Sequence, residues 1–258
     1  MKMKRILVCD GTLDGILTAV YKAYDMRYGH DNIQLNVKCT DGRSQNYELF
    51  AEYHEIETDY ELSQKVAKTV RQKISSTAYE YIARAALSED LERADVIYRF
   101  IILGLAMGKD VIGHLSNDIV QKMQTLNRNV GNESYHFLEF LRFQEVGAGI
   151  LLGVIRPKNN VLSLMVDHFT DRLFHEDYII YDEGRQIAAI HVREQEAFLM
   201  DLDQQFIDSL KMVKSDMKEY ESLWRAFHRS IAIKERTNLK LQMNHLPLRF
   251  RKHMTEFQ

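Results

Sequence analysis

Hydrophobic and polar positions follow several distinct periods along this chain. Residues 4–9 (KRILVC) form a short apolar run, the pattern of a buried strand, and Asp10-Gly11 supply the turn after it. Thr12 can then cap a helix through "LDGILTAVYKAYDMRYG", where Leu13, Ile16, Leu17, Val20 and Tyr24 recur at helical spacing. Residues 33–38 (IQLNVK) alternate as a second strand would, and "TDGRSQNYELF" (40–50) reads as a loop. The segments 60–75, 77–88 and 90–108 carry helical periods. Residues 117–143 predict two helices, with a break near Gly131-Asn132.

The second half mixes the two periods. "EVGAGILLGVIRP" (145–157) predicts two short strands. "VLSLMVDHFTDRLF" (161–174) predicts a helix with Val161, Leu164, Met165, Phe169 and Leu173 on its apolar face. "DYIIYDEGRQIAAIHV" (177–192) is a hairpin around Asp182-Glu183-Gly184-Arg185, with Gly184 available for a positive φ. A long amphipathic helix is expected over 203–230, then shorter helices or loop. The fold class that follows is α+β, predominantly helical, with a small mixed or antiparallel sheet. A single domain over 1–258 is expected; any subdivision would fall near 108–116, giving 1–110 and 111–258.

Composition adds constraints. Of 258 residues, 45% are hydrophobic and 28% charged, the profile of a globular chain. No apolar run has the length of a membrane span, and the apolar stretch after the basic start is too short for a secretory leader. Cys9 and Cys39 form no C-x-x-C pair, so neither a disulfide framework nor a zinc knuckle is expected, and a cytoplasmic location follows. Two prolines, Pro157 and Pro247, favour long helices. Charge is uneven: residues 225–253 hold eight Lys/Arg against one acid, Glu235, a net +7 that leaves −10 on the remainder. Such a segment fits a polyanion partner, or a dock onto the acidic body of the same chain.

The candidate chemistry is sparse. "LVCDGT" approaches the D-x-D-G-T of haloacid-dehalogenase-type phosphotransferases, but Val8 stands where the nucleophilic Asp would be and offers no lone pair. Asp10 and Asp14 then either serve the turn and the helix dipole or form a site at the helix N-terminus, where they would repel an anion. Asp167, His168 and Arg172 share a helix, and 168 and 172 share a face. They could grip a phosphate, with Asp167 or Asp171 orienting the imidazole, or pin that helix to the turn at Asp182, Glu183 and Arg185. His114, His136, His168, His175 and His191 are scattered without ligand spacing, so no metal and no cofactor are expected. For nucleic acid the candidates are Arg225, Arg229, Lys234, Arg236, Asn238, Lys240, Gln242, Arg249 and Arg251. The cations would track phosphates, while Asn238 and Gln242, four apart, would reach base edges or backbone. Trp224, Phe227 and Phe250 are candidates for stacking or for core.

Four stretches taken in order, "CDGTLDGILTAVYKAY" (9–24), "FLRFQEV" (140–146), "VDHFTDRL" with "IIYDEGR" (166–173, 179–185), and "SIAIKERTNLKLQ" with "PLRF" (230–242, 247–250), resemble the bacterial "probable DNA metabolism protein" family. Its members carry a domain of unknown function and are encoded beside a radical-SAM protein of DNA modification or repair; related domains occur fused to uracil-DNA-glycosylase-like domains. The resemblance implies a DNA-binding accessory protein with DNA and that radical-SAM protein as partners and no membrane. A DNA-acting enzyme working through the Asp167/His168/Arg172 cluster, or through Asp10 and Asp14 with a divalent ion, is the alternative. The chain departs from the family pattern at Cys9, where an aromatic is usual, at Leu248 in place of lysine, and at Arg251 in place of tryptophan.

Overall fold

The computed structural model describes residues 3–38, 48–146, 149–212, 243, 246–252 and 254. They divide into two compact units, residues 1–131 with 158–160, and residues 132–157 with 161–258. No Pro- or Gly-rich linker marks the boundary because it falls inside a continuous helix, Asp118–Phe140.

The first unit is built on β1 (Lys4–Cys9), the centre of a three-stranded sheet between β2 (Ile33–Val37) and β3 (Ala51–Glu55). Both pairings are parallel. Ile6 and Leu7 on β1 are fully buried, as a central parallel strand requires, and β2 buries Ile33, Leu35 and Val37 on alternate positions. The "AEYHE" of β3 is short and polar, and its burial does not alternate: it is half exposed. Its place is set by its ladder to β1, from Lys4 opposite Ala51 to Val8 opposite Glu55. Four helices of the unit are α1 (Leu13–Asp25), α2 (Tyr60–Lys73), α3 (Ser76–Ala86) and α4 (Arg93–Met107), and Val120, Met123 and Leu126 of the next helix join the same core. Thr12, Asp59 and Ser75 cap the first three through their side-chain oxygens. Gly104 lets α4 approach Ile74, where a methyl would lie 2.6 Å from the Ile74 Cδ1.

The helix α5 (Asp118–Phe140) corrects the expected break at Gly131-Asn132. A helical Gly costs about 1 kcal/mol relative to Ala. The buried series Val120, Met123, Leu126, Val130, Ser134 and Phe137 keeps its 3–4 spacing across Gly131, and burial of that stripe carries the helix through.

The second unit holds a five-stranded sheet of β4 (Phe143–Val146), β5 (Ile150–Ile155), β6 (Tyr178–Asp182), β7 (Ile187–His191) and β8 (Phe198–Asp201), in that order. Only β5 and β6 run parallel, joined through a 3-10 turn (Leu162–Leu164) and α6 (Val166–Arg172). The 3-10 turn changes the expected apolar face: Val161, Met165 and Phe169 are buried, while Leu164 is exposed. In the β6–β7 hairpin the positive φ falls on Gln186, at 57°, not on Gly184. The turn is set instead by Asp182, fully buried, whose Oδ1 accepts from the amides of Gly184 (2.9 Å) and Arg185 (3.2 Å). The strand β8 was not expected from the sequence. The helix expected over 203–230 begins as α7 (Gln204–Met212), and its remainder lies outside the described residues. The architecture is α+β, with helices holding more of the chain than strands.

Candidate functional site

The Asp10–Gly15 turn accounts for its own polar atoms. Asp10 Oδ1 accepts from the Thr12 amide (2.8 Å) and the Thr12 hydroxyl, and Oδ2 accepts from the Thr58 hydroxyl. Thr12 Oγ1 in turn accepts from the Gly15 amide at 3.0 Å. Burial pushes the Asp10 carboxyl up, but the Thr12 and Thr58 hydroxyls and the Thr12 amide outweigh it and hold the group below the usual carboxylate range. Asp14 accepts from the hydroxyl of buried Ser63 on α2, and its carbonyl accepts from Thr18, whose hydroxyl also donates to the Asp59 carbonyl at 3.0 Å. Both carboxylates therefore fasten α1 to the start of α2. Arg93 closes the other side of the turn, its Nη2 donating to the Gly11 carbonyl at 3.4 Å. Burial pushes the adjacent Cys9 thiol up to about 12. Among the described residues, no group of three or more His, Cys, Asp or Glu is arranged to hold a metal ion.

The Asp167/His168/Arg172 set stands on α6 with all three residues exposed. No hydrogen bond or ion pair joins them among the described residues; His168 only sets its ring edge-on to Phe169, at 5.2 Å. They do not pin α6 to the hairpin turn. That helix is anchored by Phe169 against Phe143 (5.3 Å) and by Thr170 to the Tyr178 hydroxyl (2.8 Å). The turn has its own network, in which Arg185 Nη1 bonds Asp182 Oδ2 at 3.0 Å and the Pro157 carbonyl at 3.2 Å.

Of the nucleic-acid candidates, Arg225, Arg229, Lys234, Arg236, Asn238, Lys240 and Gln242 lie outside the described residues, as do Trp224 and Phe227. Arg249 and Arg251 lie on a single helical turn, Leu248–Arg251. Phe250 between them is 5% exposed and packs edge-on against Phe137 at 4.8 Å, so its ring belongs to the core and offers no face to a base. Arg249 pairs with Glu133 at 3.2 Å; Glu133 is buried, while the arginine side chain is 41% exposed. Arg251 donates to the Leu246 carbonyl (3.2 Å), and Lys252 to Glu183 (2.5 Å). This end of the basic segment thus docks onto its own unit.

The docking sets Arg249 beside two cations that the charge run did not include. Arg142, Arg156 and Arg249 line one small cavity over Phe137, Phe140 and Phe250, with no acidic residue in its lining. Arg142 also donates to the Glu139 carbonyl (3.2 Å) at the C-terminal end of α5, where a cation is favoured. Arg156 is 67% exposed and 3.9 Å from Glu183. The sequence holds one trace of this convergence: Leu141-Arg142-Phe143 and Leu248-Arg249-Phe250 repeat a tripeptide, and Ile155-Arg156-Pro157 is a third apolar-Arg-apolar step. A short motif at distances of roughly a hundred residues carries no periodicity to reveal it.

A family model described as "Domain of unknown function (DUF4130)" matches residues 91–256. No curated protein matches the chain. Among solved structures, RecJ in complex with Mn2+ from Thermus thermophilus aligns with 10% identity and a TM-score of 0.38, covering 81% of this chain and 51% of that one. The chain therefore spans about half the length of that protein. The DHH domain of a member of the s1p family of ribosomal proteins aligns with 10% identity and a TM-score of 0.32, covering 74% of each chain. Both likenesses lie below the level at which a shared fold follows. No helix among the described residues is long and apolar enough to cross a membrane.

Proposed function

The chain belongs to the DUF4130 family, and from that premise we propose that it is a DNA-binding accessory protein of DNA repair or modification. The observation that carries this reading is the cavity flanked by Arg142, Arg156 and Arg249 on the second unit; in the amino-acid sequence, Arg249 belongs to a stretch that holds five further cations between residues 225 and 240. A guanidinium suits phosphate oxygens because it offers paired donors; Arg249 already pairs with Glu133, and Arg156, its side chain 67% exposed and 3.9 Å from Glu183, is the most open of the three. Such contacts position a protein on DNA without reading sequence. The exposed and unlinked Asp167, His168 and Arg172 supply no nucleophile–base pair, which supports an accessory role over a hydrolytic one.

The test is DNA affinity by fluorescence anisotropy across a KCl series. Each phosphate contact contributes about −0.9 to the slope of log Kobs against log salt. The variant Arg156→Gln/Arg229→Gln/Arg236→Gln should bind more weakly, with a slope shallower by about 2–3 if all three contacts are made. Equal affinity and slope in wild type and variant would remove the DNA contact. The proposed partnership with a radical-SAM enzyme has its own readout. A nuclease-treated pull-down that still retains such an enzyme supports it, whereas loss of every partner on nuclease treatment removes it.

A further inference from the structure

The first unit carries a cavity of about 420 Å³ between α1, α2 and α4. Ligand pockets for small molecules fall in the range of roughly 300–1,000 Å³ and are mostly apolar with a few placed polar groups. Here the floor is Val20, Val66, Val70 and Ile101, all buried, so a polar ligand body would lose its water without a partner. Lys65, Thr69 and Lys73 form one wall, spaced four apart on α2 and therefore on one face. All three are exposed, and neither lysine makes an ion pair among the described residues. Thr69 turns its hydroxyl back to the Lys65 carbonyl at 2.7 Å, leaving the two ammonium groups as the charged features of that wall. No lining residue is acidic. A cationic ligand would be repelled, and a purely apolar one would leave both charges unused.

We infer that this cavity binds a small amphipathic acid, an acyl or aryl carboxylate. Its apolar body lies on the valine–isoleucine floor, and its carboxylate is held at the Lys65/Lys73 wall. The lysine stems cover the apolar rim while their ammonium groups stay in water, the usual arrangement for a long cation beside a greasy surface. Tyr24 and Leu105, both exposed at the rim, extend the apolar contact outward. This binding is independent of the DNA contact, which draws on the other unit.

The experiment is calorimetric titration of the full chain with decanoate and, separately, with decan-1-ol. Wild type is compared with Lys65→Met/Lys73→Met and with Thr69→Trp, which fills the cavity from an exposed position. Wild type should bind decanoate saturably at one site. The double Met variant should bind it about three- to tenfold more weakly, as two exposed ion pairs allow, with decan-1-ol unchanged. Thr69→Trp should abolish both. Because the three replaced side chains are exposed, unfolding midpoints should stay at the wild-type value. Absence of saturable decanoate binding, equal decanoate affinity in the Met variant, or undiminished binding by Thr69→Trp would each overturn the inference.

Discussion

The sharpest consequence of the N-terminal turn concerns Gly15, a residue that helix propensity alone would replace with Ala. It lies in the first turn of α1, where Ala would gain at most about 1 kcal/mol. Yet a methyl at position 15 would lie 2.5 Å from the Asp10 carboxyl carbon and 2.8 Å from its Oδ2. The carboxylate has little freedom to retreat: a single methylene joins it to its own backbone, and it is held by the Thr12 amide and the Thr12 and Thr58 hydroxyls. Hydrogen bonds to a charged acceptor contribute about 1.5–3 kcal/mol each. Because Asp10 is only half-buried and its three bonds are lost together, a total of about 2–4 kcal/mol is expected, for a net destabilisation of about 1–3 kcal/mol in Gly15→Ala. Removing the carboxylate should reverse the sign. In an Asp10→Ala background, Gly15→Ala should be neutral or stabilising by up to about 1 kcal/mol. Urea unfolding of the four chains of this cycle, followed by far-ultraviolet circular dichroism, measures the coupling directly. A Gly15→Ala cost that is the same with and without Asp10 would refute the packing account.

Two further predictions follow from the same region. Because the folded Asp10 carboxyl titrates below its ordinary range, its contribution is complete above about pH 5 and is lost as pH falls through the folded value. Urea midpoints from pH 7 down to about pH 2 should therefore decline less steeply in Asp10→Ala than in wild type, and parallel curves would contradict this. Cys9 is buried with its thiol pushed up to about 12, so in a Cys39→Ser chain a disulfide reagent at about pH 8 should label it only on unfolding. Labelling of the folded chain at the rate of a free thiol would show the strand to be open.

Legibility of the fold tracked local pattern. The strands β1, β2, β6 and β7 were readable because their burial alternates or runs unbroken, and the cap Thr12 stands at the start of α1; Ser75, inside the helical segment read over 60–75, instead caps α3. The strands β3 and β8 were not, because each is an exposed edge whose pairing partner supplies the ladder that its own residues do not announce. Gly131 shows the opposite error: a local breaker was overruled by a stripe of burial that continued on both sides of it. Gly184 was the natural choice for a left-handed position, but the Asp182 carboxylate fixed a turn that places that conformation on Gln186.

The amino-acid sequence by itself determined the α+β class, the departure from the D-x-D-G-T pattern at Val8, and the concentration of positive charge after residue 225. Each depends only on residue type and spacing. Tertiary structure decided what the charges and carboxylates do. It turned Asp10 and Asp14 inward onto Thr58 and Ser63, seated Arg249 on buried Glu133, and brought Arg142 and Arg156 to the same cavity from different elements. The physical reason is range: helical and strand periods act over a few residues, whereas desolvation and ion pairing join groups that lie far apart in the chain and become neighbours only when the core closes.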